Sequence, residues 1–274
     1  MIIGVDLGGT KITAGAVQGG KVIRKVTEPV NPLASKDDVV RHILKVISRV
    51  FDSRVKGIGI GTPALVDSKG ILYESVNIKS FEQVQLKKAI QQKFGVKVSI
   101  ENDANCFALG EKHFGHGRKC ADVVGLIIGT GVGAGIVLGD KLYPGANGAA
   151  GEFGKIPYLE YDLEYYCSGK FFMFEYGQRG EDLFIKALHG DKKAKRIFKE
   201  YGAHLGKLIS VVTNSVDPSV IVLGGSVSKS YKFFKESMNE SMKKSIYNKV
   251  YKNIKIKVSE NTENMAILGA ASLL

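Results

Sequence analysis

Ile2-Ile3-Gly4-Val5-Asp6-Leu7-Gly8-Gly9-Thr10-Lys11 opens the chain as a short β-rich run, residues 2–5, that breaks into a glycine turn carrying a carboxylate, a hydroxyl and an ammonium. Residues 12–17 and 22–27 continue as strands, and Gly19-Gly20 between them is a hairpin signal. Ser35-Lys36-Asp37-Asp38 reads as a capping box, and Val39, Ile43, Leu44, Ile47 and Val50 keep helical spacing. Residues 55–60 read as a buried strand ended by Gly61-Thr62-Pro63, residues 81–94 as an amphipathic helix, and residues 96–100 as a strand that runs into Glu101-Asn102-Asp103. A hairpin start followed by alternating strands and helices predicts an α/β fold.

The pattern then begins again. A helix near 104–114 precedes a strand at 122–128, a glycine-rich turn at 129–135 and a strand at 136–138. Residues 144–154 read as a glycine-rich loop. Helices near 168–176, 181–189, 191–216 and 229–247 surround strands at 220–223 and 254–258, and an apolar helix, 265–274, closes the chain. Two β-β-β-α-like units predict a duplicated fold with a cleft between its halves. No Ser/Pro-rich linker separates them, so pattern alone sets the division: a small domain of 1–103 with a C-terminal helix at 262–274, and a larger domain of 104–261.

Composition narrows the function classes. With 274 residues, 44% hydrophobic and 24% charged, the chain is long enough for a sizeable core and unlike a disordered one. No apolar run approaches the ~18 residues of a membrane span, and the N-terminus lacks the pattern of a signal peptide. Cys106, Cys120 and Cys167 form no C-x-x-C pair, which argues against a disulfide scaffold and points to a reducing cytoplasm. The net charge of +12 raises the question of a polyanion. Its basic stretches, Lys192-Lys193-Ala194-Lys195-Arg196 and Lys243-Lys244, lie inside helical patterns without interleaved aromatics, so a solvated surface is expected and no nucleic-acid partner.

Glycine is the informative excess, 33 residues against a usual ~7%. Tandem glycines in Asp6–Lys11 let backbone approach a ligand, and successive N–H groups there form an anion-binding concavity. Thr10 adds a hydroxyl, Lys11 a charge, and Asp6 a carboxylate able to hold Mg²⁺ directly or through water. An ordinary hairpin turn explains the glycines but not the whole set. A Walker A loop is excluded, since Thr10 stands where the lysine is required. The second turn, Gly129-Thr130-Gly131-Val132-Gly133-Ala134-Gly135, reads as a phosphate cradle, because glycine at every second position supplies no side chains to a packed strand. The third, Leu223-Gly224-Gly225-Ser226-Val227, ends a strand and can receive a nucleotide. Asn102-Asp103 can hold a sugar hydroxyl and take its proton, and can equally serve as a helix N-cap. Glu152, in Gly151-Glu152-Phe153-Gly154, offers a further carboxylate.

In order, Asp6–Lys11, Gly59–Pro63, Glu101–Asn105, Gly129–Gly135, Ala150–Gly154 and Leu223–Val227 resemble the motifs of the ROK family of sugar kinases and repressors, a likeness that runs to Gly269-Ala270-Ala271. The resemblance implies a duplicated ribonuclease H-like (actin-like) fold, two domains around a nucleotide and sugar cleft, ATP with Mg²⁺, and transfer of phosphate to a hexose. It implies Asp103 as catalytic base and Gly61, Thr62, Asn102, Glu152, Lys155 and Glu164 about the sugar. It implies Gly8, Gly9, Thr10, Lys11, Gly129, Thr130, Gly131 and Gly133 about the phosphates, and Gly224, Gly225 and Ser226 at the adenosine. The family's repressors carry an N-terminal helix-turn-helix, whereas here a strand begins at residue 2. Two departures stand out. Lys155 occupies a position where the bacterial pattern has His. Cys167-Ser168-Gly169-Lys170 also replaces a zinc loop of the form C-x-C-G-x-x-G-C, so no structural zinc is expected. Glu164 is the expected last sugar carboxylate, with Glu175 as competitor. Glucose is the expected substrate, a fructokinase or N-acetylhexosamine kinase the nearest alternatives, and a non-catalytic sugar sensor the alternative of another class. A cytoplasmic homodimer follows from the resemblance alone.

Overall fold

The computed structural model describes residues 1–31, 33–67, 70–73 and 84–274. β1 (Ile2–Leu7), β2 (Lys11–Gln18) and β3 (Lys21–Pro29) form an antiparallel meander. α1 (Lys36–Ser48), β4 (Gly57–Thr62), the short strands β5 (Leu65–Val66) and β6 (Leu72–Tyr73), α2 (Leu86–Phe94) and β7 (Lys97–Asn102) follow. β4 lies parallel to β1, and β7 parallel to β4, giving the order β3-β2-β1-β4-β7. The hairpin forms where Gly19 and Gly20 both take positive φ, which matches the twist of the flanking strands. Ser35 caps α1 by accepting the Asp38 N–H, and Val39, Ile43, Val46 and Ile47 go into the core. The expected helix over 81–94 begins at Leu86, after Gln85 at its N-cap; residues 81–83 lie outside the described ones.

The order repeats. After α3 (Asp103–Phe114) come β8 (Val123–Ile128), β9 (Val132–Leu138) and β10 (Lys141–Leu142), again antiparallel neighbours. A hairpin of β11 (Pro157–Tyr158) and β12 (Tyr161–Asp162) leads to α4 (Leu163–Cys167), α5 (Lys170–Tyr176), α6 (Gly180–Leu188) and the long α7 (Lys192–Val216). β13 (Val220–Gly224), α8 (Tyr231–Ser245), α9 (Asn248–Asn253), β14 (Lys255–Val258) and α10 (Thr262–Ala271) complete the chain. The second sheet runs β10-β9-β8-β13-β14, with β13 parallel to both β8 and β14. No helix among the described residues is long and apolar enough to cross a membrane.

The reading of 129–135 as one loop is corrected. The turn closes within Gly129–Gly131, where the Gly129 N–H donates to the Gly131 carbonyl at 3.0 Å, and Gly133 and Gly135 are paired residues of β9. Their missing side chains make room for α3: a Cβ on Gly135 would stand 2.3 Å from the Ala104 carbonyl oxygen. A Cβ on Gly133 would likewise stand 3.2 Å from the Ala104 methyl, so both glycines fit the close packing of β9 on α3.

α3 is buried nearly all round, packing on β8 and β9, while α10 packs on β1 and β4. The two helices meet backbone to backbone, since a Cβ on Gly110 would lie 1.9 Å from the Met265 carbonyl oxygen and one on Gly269 would lie 1.6 Å from that of Cys106. Each sheet therefore packs on one member of the same helix pair.

Candidate active site

Asp6, next to last in β1, pairs with Gly61 of β4, which in turn pairs with Glu101 of β7. Asp103 begins α3 one residue past β7, with its Cα packed on the hydrogen face of Gly61. Asn102 is the N-cap: its Oδ1 accepts the N–H groups of Ala104 at 2.9 Å and Asn105 at 3.2 Å. The helix N-cap reading of this segment is observed at Asn102, and Asp103 is the first residue of the helix that it caps. Asn102 Nδ2 also reaches the Ala64 carbonyl at 3.5 Å, and Thr62 is fully buried with its hydroxyl unpartnered among the described residues.

The carboxylates sense one another. Burial pushes Asp6 up to about 7, with the neighbouring Asp103 adding to the rise and Lys11 opposing it. Burial likewise pushes Asp103 up to about 6, opposed by the Ala104 N–H that its Oδ1 accepts at 2.8 Å and reinforced by the charge of Glu152. Glu152 is exposed and precedes a single 3-10 turn, Phe153–Lys155. The structure thus gathers Asp6, Asn102, Asp103 and Glu152 from three separate parts of the chain.

The first and third glycine turns both reach the start of α10, and the third lies against the second. Gly8 N–H closes the first by donating to the Lys11 carbonyl at 2.9 Å. Lys11 itself carries its ammonium to Glu263 in the first turn of α10, at 2.6 Å, and Lys25 shares that carboxylate. The second turn is buttressed from behind: Glu164 of α4 accepts the Val132 N–H at 2.9 Å and the Lys170 ammonium at 2.6 Å. Burial alone would raise Glu164, but Lys170, the Val132 N–H and the nearby Lys155 outweigh it and hold the carboxyl below its usual range. The third turn abuts the second, with Gly225 at φ 86° and its N–H donating to Thr262 Oγ1 at 3.2 Å.

Of the competing carboxylates, Glu164 reaches the cleft loops whereas Glu175 is exposed on α5 and accepts the Tyr165 hydroxyl at 2.9 Å. Cys167 faces the core, fully buried, and burial pushes its thiol well above the ordinary range. Sequence reasoning did not single out Thr262, Glu263 or Lys170. Lys170 had a local signal, lying six residues past Glu164, but Glu263 is 252 positions from Lys11 and had none.

Comparison with known proteins adds the family. Residues 2–274 match the ROK family. The chain is 29% identical to the glucokinase of Thermotoga maritima, covering all of this chain and 96% of that protein. It is 31% identical to the N-acetyl-D-glucosamine kinase of Vibrio cholerae, over all of this chain and 99% of that one. A ROK family glucokinase from Streptomyces griseus, solved with glucose and AMPPNP, superposes with a TM-score of 0.86 at 28% identity, covering 99% of this chain and 98% of that one.

Proposed function

The chain belongs to the ROK family, and from that premise we propose that it is an ATP-dependent kinase of a hexose, glucose first, with Asp103 as the general base. The observation that carries this reading is an elevated Asp103 whose charge also raises Asp6, four residues before Thr10 of the first of three glycine turns drawn from different parts of the chain. A base with a pKa near 6 is ionised at neutral pH yet basic enough to draw the proton from an attacking hydroxyl. Asn102 and Glu152 would hold that sugar's hydroxyls, with Glu164 completing the set from behind the second turn. The N–H groups of the Gly8–Thr10 and Gly129–Gly131 turns would cradle the phosphates, and Gly224–Ser226 would meet the adenosine. Closure of the cleft would keep water from competing with the sugar.

Mg²⁺ fits the chemistry of the donors. Asp103 opposes the ionisation of Asp6, and a hard cation beside the Asp6 oxygens would offset that opposition. Asp6 would hold it, directly or through water, and the ion would neutralise phosphate charge. Zinc has no part in the proposal, because the one cysteine in that register is turned into the core.

The test is kcat/KM over a panel of glucose, mannose, glucosamine, fructose and N-acetylglucosamine with ATP and Mg²⁺. Glucose is expected to be best, with discrimination looser than a histidine at position 155 would give, because an ammonium is a flexible point donor and imidazole a rigid one. Lys155→His should sharpen it. The relative from Vibrio cholerae keeps N-acetylglucosamine as the second reading, and a preference for it of more than about tenfold would replace the first.

A further inference from the structure

Glu101 stands at the end of β7 two residues before Asp103, and neither the sugar nor the phosphates require it. Its Oε1 accepts two hydrogen bonds, from the Asn102 N–H at 2.7 Å and from Asn105 Nδ2 at 3.0 Å. One carboxylate oxygen therefore bridges the residue before Asp103 and a residue one half-turn after it. Asn102 answers from the other side, its Oδ1 taking the Ala104 and Asn105 N–H groups. Asn105 is 2% exposed, and its Oδ1 finds no partner among the described residues. A buried amide oxygen left unpaired is destabilising, so what this side chain contributes is its donor end, the bond to Glu101. β9 closes the arrangement from outside, the Gly135 position lying against the Asn105 Cα. Asp103, meanwhile, takes the Ala104 N–H on its Oδ1 and is further stabilised in its ionised form by its own N–H.

We propose that Glu101, acting through Asn105, is the positioning residue of the base: it locks the β7–α3 junction so that Asp103 is presented at one fixed place in the cleft. This rests on the reading of Asp103 as the base. Fixed placement matters because a reacting group displaced by about 1 Å can lose 10²-fold in rate. Glu101 works by geometry, so a neutral acceptor of the same shape should replace it.

The experiment measures kcat and the KM for ATP on Glu101→Ala, Asn105→Ala, Glu101→Gln and Asp103→Asn, with rates normalised to active sites by titration with a tight bisubstrate inhibitor. Glu101→Ala and Asn105→Ala are each expected to lower kcat about 10- to 100-fold, with the KM for ATP unchanged. Glu101→Gln is expected to stay within about threefold of the parent, since the amide oxygen can take both bonds. If Glu101→Ala does not fold, Asn105→Ala carries the same expectation. Parental kcat in the alanine variants beside an inactive Asp103→Asn, or a Glu101→Gln as slow as Glu101→Ala, overturns the clamp and leaves the base standing. An active Asp103→Asn overturns the base instead.

Discussion

At the scale of single residues, the cleft is organised by carboxylates held where they would rather be neutral. Asp6 and Asp103 rise to about 7 and about 6 because burial disfavours their charged forms and each meets another carboxylate. Two outcomes follow. The acid limb of the kcat/KM profile should fall as pH drops below about 6, where the base takes up its proton, and Asp103→Asn should lower kcat by about 10²–10⁴-fold across the profile. For stability the sign is opposite to that of a paired carboxylate. A raised native pKa means that the folded chain binds more protons than the unfolded one between roughly pH 4 and 7, so the group's contribution is fully present below its unfolded pKa and is lost as pH rises through the folded one. Asp6→Asn should therefore raise Tm at pH 8 in the ligand-free protein, with the gain fading toward pH 4, as a pH series of melting curves would show. The same variant should be inactive with ATP and Mg²⁺.

At the scale of elements, the helices α3 and α10 decide how the two sheets meet. Their contact is made by backbone, through Gly110 and Gly269, so neither position tolerates a methyl group. Gly269→Ala should force the helices apart and cost at least about 1–3 kcal/mol, the usual cost of overpacking, or several degrees in Tm for a chain of this size. A melt by circular dichroism checks this, and an unchanged Tm would show that the helices do not pack as described. The element scale is also where sequence reading was most uneven. The hairpin at Gly19-Gly20 and the cap at Ser35 were legible, because turn and cap chemistry are local. Gly133 and Gly135 were misread as loop, because the reason for their glycines is a helix some thirty residues away in sequence. The short α4, α9 and the β11–β12 hairpin were likewise absent from the reading; each is too brief to establish a period.

At the scale of the whole molecule, the strand orders β3-β2-β1-β4-β7 and β10-β9-β8-β13-β14 are one topology used twice. The duplication explains why glycine turns recur after β1, β8 and β13 and why they can face a common ligand: parallel strands present their C-terminal ends on one side. The proposed chemistry would draw on both halves, so activity should be lost with EDTA and return with Mg²⁺, while elemental analysis finds no stoichiometric zinc. One zinc per chain would show that the Cys167 region had been misjudged. Light scattering at micromolar concentration should give twice the 29.7 kDa of one chain; a monomer alone would sink the expectation of a homodimer.

By itself, the sequence determined what is written in local patterns: the α/β alternation and its repetition, the capped starts of α1 and α3, and the six ordered motifs of the family. These follow from periodicity, turn chemistry and the limited ways a backbone can face a phosphate. The tertiary structure alone decided which of those groups meet. Glu263 takes Lys11, and Glu164 takes the Val132 N–H. The elevation of Asp6 by Asp103 belongs to the same class. Such pairings depend on how helices and strands pack, and the distance between two side chains in space is not a property of either residue's neighbours in sequence.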